Sequence, residues 1–98
     1  MNRHSYSRTI TRVIDRSETY YSTLPPFRLV YVPEAVLAAK TDLLAISKRL
    51  DSNEPVNTKA LDSLKTLLSD GHTSPLFRRN PEAAQKAVAE IRKELVTV

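Results

Sequence analysis

A chain of 98 residues without a cysteine has room for one modest core and must close it without disulfides or thiolate-held metal. The net charge of +4 is too small to imply nucleic acid by itself, and it is uneven: residues 1–28 hold five arginines against two acids, while residues 29–98 hold ten Lys or Arg against nine. No stretch approaches the ~18 apolar residues of a membrane span, and MNRHSYSRTI has no apolar core of secretory length, so the expectation is one cytoplasmic helical domain over 1–98 with a disordered tail at 1–5.

The first helix is expected from about Ser7 to about Tyr21. Tyr6, Ile10, Val13, Ile14 and Tyr21 fall on one face at ~100° per residue. Arg8, Arg12 and Arg16, at i, i+4 and i+8, fall on the opposite face. The run Thr9, Ile10, Thr11, Val13 and Ile14 is β-branched, so a strand competes for the same residues.

Residues 22–33, STLPPFRLVYVP, interrupt the helical period. Pro25 and Pro26 cannot lie inside a helix and bias their predecessors to extended geometry. Phe27, Leu29, Val30, Tyr31 and Val32 form a short apolar run without a convincing partner strand. It reads as an extended segment over the core, with a hairpin to residues 8–14 as the alternative.

The second helix starts at Pro33 or Glu34, where proline and an acid suit the first turn. Val36, Ala39, Leu43, Ile46 and Leu50 make one stripe, and Leu37 and Leu44 widen it. An arc this broad marks a central helix touched on more than one side. Ser52-Asn53-Glu54-Pro55 stops it.

The third helix follows Asn57, a plausible N-cap, with Val56 and Leu61 at hydrophobic-staple spacing. Ala60, Leu61, Leu64, Leu67 and Leu68 share one face. Gly71, the only glycine, lies just past the helix end, where positive φ is expected because glycine has no Cβ. The fourth helix opens on Asn80-Pro81-Glu82 and carries Ala84, Ala87, Val88, Ile91 and Leu95 on one face. The expected core therefore includes Leu43, Leu61, Leu64, Leu68, Val88 and Ile91. The fold class is all-α: four helices around one core, with the proline-containing extended segment between the first and second.

Signals for chemistry are sparse. No HExxH, EF-hand loop or CxxC occurs, which gives no support for a metal. One glycine cannot build a phosphate-cradling loop, and no Ser lies in a GxSxG context. No cofactor and no catalytic residue are assigned. Asp70 and His72 could form an acid–base pair, but such residues more often cap and solvate helix ends. His4 falls in the expected tail.

Arg8, Arg12 and Arg16 are the candidate polyanion-binding residues, because guanidinium forks match phosphate and carboxylate geometry. The alternative is that Asp15, Glu18 or acids of another helix neutralise them, or that they face water. Tyr6, Tyr20, Tyr21 and Tyr31 suit either an interface or the rim of the core.

Over residues 43–95 the order is a Leu-rich helix, Pro55-Val56, Leu67-Leu68-Ser69-Asp70-Gly71, then Ser74-Pro75-Leu76-Phe77 and an Ala-rich last helix. This order resembles a group of small, uncharacterised bacterial helical proteins. The resemblance implies a bacterial cytosolic helical domain and no particular activity. The functional expectation is a non-enzymatic protein-interaction module, self-associating or with a separate protein partner. Nucleic-acid or other polyanion binding through the arginine stripe is the alternative, and no membrane partner is expected.

Overall fold

The computed structural model describes residues 3–22, 32–69 and 75–97. Five helices occur among them: α1 (Arg3–Ser22), α2 (Glu34–Asp51), α3 (Thr58–Leu68), α4 (Pro75–Arg79) and α5 (Pro81–Leu95). The described residues contain no strand, so the all-α expectation holds at that level. The extended segment, Gly71 with its expected positive φ, and Asp70 and His72 lie outside the described residues, as do the side chains of Tyr20 and Tyr21.

In α1 burial overrides strand propensity. Tyr6, Ile10, Val13 and Ile14 are all buried on the stripe that the period marks. The polar members of the β-branched run are absorbed locally: Thr9 Oγ1 donates to the Ser5 carbonyl and Thr11 Oγ1 to the Ser7 carbonyl. The helix begins at Arg3, so a tail over 1–5 is corrected for residues 3–5. The reason is tertiary. The Arg3 guanidinium donates to the carbonyls of Leu50 and Arg49 in the last turn of α2, where helical donors run out, and to the Glu54 carbonyl just beyond it. His4 is helical too, with Nδ1 at 3.5 Å from Asp51 Oδ1.

Helix α2 is the centre of the arrangement, packed against α1 and α5. The Pro33 carbonyl accepts from the amides of Val36 and Leu37, and Lys48 and Arg49 lie in the last turn. Ser7 beside Ser47 and Glu18 beside Lys40 fix α1 and α2 as antiparallel neighbours. Val36, Ala39, Leu43, Ile46 and Leu50 are buried, but Leu37 and Leu44 remain 48% and 49% exposed. The broad apolar arc thus overstates what the neighbours cover.

Asn57 caps α3 by accepting from the Lys59 amide at 2.9 Å. The same residue meets the end of α5: its amide donates to the Leu95 carbonyl and its Nδ2 to the Thr97 carbonyl. Val56 and Leu61 pack against the core from partly buried positions. Leu61 is therefore at the margin, while Leu43, Leu64, Leu68, Val88 and Ile91 are buried as expected. The short α4, which the sequence pattern does not announce, brings Phe77 into the core. Asn80 then caps α5 through the Ala83 amide.

Candidate interaction surface

The arginine stripe is formed as the period requires. Arg8, Arg12 and Arg16 are exposed on the side of α1 opposite Ile10, Val13 and Ile14. Among the described residues none of the three makes an ion pair. The acids suggested to neutralise them are placed differently. Glu18 pairs with Lys40, and Asp15 makes no ion pair among the described residues.

The three arginines and Asp15 form one wall of an open groove of about 530 Å³, with Ser47 and Asp51 of α2 opposite. The base of the groove is a small polar cluster. Ser7 Oγ donates to Asp51 Oδ1 at 2.8 Å, and Ser47 Oγ donates to Ser7 Oγ at 3.0 Å. Asp51 thus accepts from the Ser7 hydroxyl and lies 3.5 Å from His4 Nδ1, and among the described residues it makes no ion pair with the arginines.

The outer edge of α2 continues this face. Leu37, Thr41, Leu44 and Lys48 fall within roughly 60° of one another around the helix, and all four are exposed. Leu44 lies next to the Ser47–Asp51 edge of the groove. The antiparallel alignment, set by Ser7–Ser47 and Glu18–Lys40, puts it about level with Thr11 and Arg12 of α1. An apolar ridge and a basic stripe therefore share one side of the molecule. The sequence shows the stripe through its period. It does not show the ridge, because an apolar stripe records how much a helix can bury and not which neighbours arrive.

A second groove, about 640 Å³, runs between α2 and α5. Its two arginines are committed: Arg92 pairs with Asp42 at 2.7 Å, and Arg49 pairs with Glu54 and donates to the Pro55 carbonyl. A small gap of about 10 Å³ lies among Val13, Ser17, Val36 and Phe77. Ser17 is buried there, and its hydroxyl has no hydrogen-bond partner among the described residues. Among the described residues no cluster of His, Asp or Glu is arranged to hold a metal ion, and no helix is long and apolar enough to cross a membrane.

No protein-family model, curated protein or solved structure matches the chain.

Proposed function

We propose that the protein is a non-enzymatic interaction module that docks another protein on its α1–α2 face. The observation that supports this most directly is the pair Leu37 and Leu44, each about half exposed on the helix that otherwise centres the core. Leaving two leucines half exposed on the central helix forgoes about half of their burial, which is worth ~1.5–3 kcal/mol for a complete leucine. A partner helix or loop that covers them recovers it. The test is site-specific photocrosslinking in the source cells from Thr41, between the two leucines, with Lys59 on α3 as the control position. Discrete protein adducts from position 41 that are missing from position 59 support the reading. Equal adducts from both, or none from 41, count against it.

A second reading has its own observation. Arg8, Arg12 and Arg16 are exposed and make no ion pair among the described residues, which suits a polyanion such as nucleic acid. Its test is a duplex DNA titration at rising salt, in which three phosphate contacts give a log–log slope near about −2.7.

A further inference from the structure

We infer that the α1–α2 face takes an acidic amphipathic helix of a partner protein. This rests on the interaction-module reading and adds the chemistry of the partner. Two independent features lie side by side on that face. Leu37 and Leu44 are spaced seven residues apart on α2, which is about 10 Å along the helix. Arg8 to Arg16 spans about 12 Å along the antiparallel α1. A partner helix of three to four turns laid along the groove sets one apolar stripe on the leucines and one flank on the arginines. That flank must be acidic, because three guanidinium groups there lack carboxylate partners among the described residues, and their forks accept carboxylates two oxygens at a time.

The other occupants fit less well. A phosphate backbone can use the arginines, but it has no use for a leucine ridge. A second copy docked by two-fold symmetry brings the same patch against itself. Arginine stripes then approach one another, and each copy sets only Asp15 and Asp51 against its three arginines, with Asp51 already accepting from Ser7.

The experiment uses the full chain and three fluorescent helical peptides of roughly 18 residues, about five turns. One has a leucine stripe flanked by glutamates. The second has the same stripe flanked by lysines. In the third the glutamates are kept and the leucines become serines. Fluorescence anisotropy reads the binding. The acidic leucine peptide is expected to bind at least about tenfold more tightly than either of the others. Arg8→Gln, Arg12→Gln and Arg16→Gln together should weaken it about tenfold at low salt and flatten its salt dependence. Leu44→Ser should weaken it by about tenfold without changing that dependence. All these substitutions are at exposed positions, and circular dichroism confirms that each variant is folded.

Equal binding of the acidic and lysine peptides overturns the charge assignment. If Thr41 still gives crosslinks, the interaction-module reading then survives alone. Binding of a DNA duplex or of the serine peptide as tight as that of the acidic leucine peptide overturns it in favour of a plain polyanion site. Self-association that Leu44→Ser abolishes, measured by light scattering, overturns it in favour of a second copy. Failure of all three peptides to bind overturns it outright.

Discussion

Arg3 Nε donates to the Leu50 carbonyl at 2.8 Å, joining the first turn of α1 to the last turn of α2. By local rules arginine is misplaced at a helix start, where the dipole is positive. Here it serves the far end of a different helix, where the carbonyls need donors and the dipole is negative. Its Nη2 adds the carbonyls of Arg49 and Glu54.

Arg3→Gln should therefore cost about 1–3 kcal/mol, since it removes charge-assisted bonds from partly buried carbonyls. Arg3→Lys should recover less than half of that, because one ammonium cannot reach three carbonyls as the planar fork does. Urea denaturation of the three proteins measures both steps. An Arg3→Gln midpoint equal to that of the wild type would show that water replaces the guanidinium without loss.

Asn57 offers a separation of two roles within one side chain. Asn57→Ala should cost about 1–2 kcal/mol, through the lost cap and the lost donor to Thr97. Asn57→Asp keeps the cap but turns an acceptor toward the Thr97 carbonyl, so its stability should fall between wild type and alanine. Thermal melts that rank aspartate at or above asparagine would mean that the link to Thr97 contributes nothing.

Ser17 is the reverse case, a group whose removal should help. Its buried hydroxyl lacks a partner among the described residues, and such a group costs about 1–3 kcal/mol. Alanine also has the better helix propensity. Ser17→Ala should stabilise the protein by up to about 1 kcal/mol after some packing is lost. A calorimetric midpoint below the wild-type value would contradict this.

Two leucines on successive helices of the chain should respond very differently to truncation. Leu64 is fully buried and Leu44 is half exposed. Leu64→Ala should cost ~2–5 kcal/mol, and Leu44→Ala under ~1 kcal/mol. Comparable losses at the two sites would mean that Leu44 is structural, which would remove the main support for the docking face.

The elements that the sequence made legible are those with their end signals close at hand. Pro33-Glu34 opens α2, Asn57 caps α3, and Asn80-Pro81-Glu82 opens α5. In each case the donor and acceptor are a few residues apart, and a linear reading finds both. The buried stripes were equally legible, because a 3.6-residue period is local. What escaped was long-range. Arg3 and Leu50 are 47 residues apart, so nothing near Arg3 predicts a helix start. The five residues of α4 are too few to show a period. For the candidate face, the period gave the positions of Arg8, Arg12 and Arg16. It gave neither the exposure of Leu37 and Leu44 nor the diversion of Asp51 to Ser7 and His4, both of which depend on how α1 lies along α2.

The stretch from Arg49 to Asn57 receives the first turn of α1 on one side and the last turn of α5 on the other. Between its ties lies Asn53, exposed and outside any helix. Cutting the backbone there divides the chain into an α1–α2 fragment and an α3–α5 fragment. Neither fragment can close the core alone, since Leu43, Ile46 and Leu50 stand on one and Val88, Ile91 and Leu95 on the other. The α2–α5 packing and the Asp42–Arg92 pair cross the cut. Each fragment thus carries only part of the core that the other completes, and the two halves should reassemble when mixed.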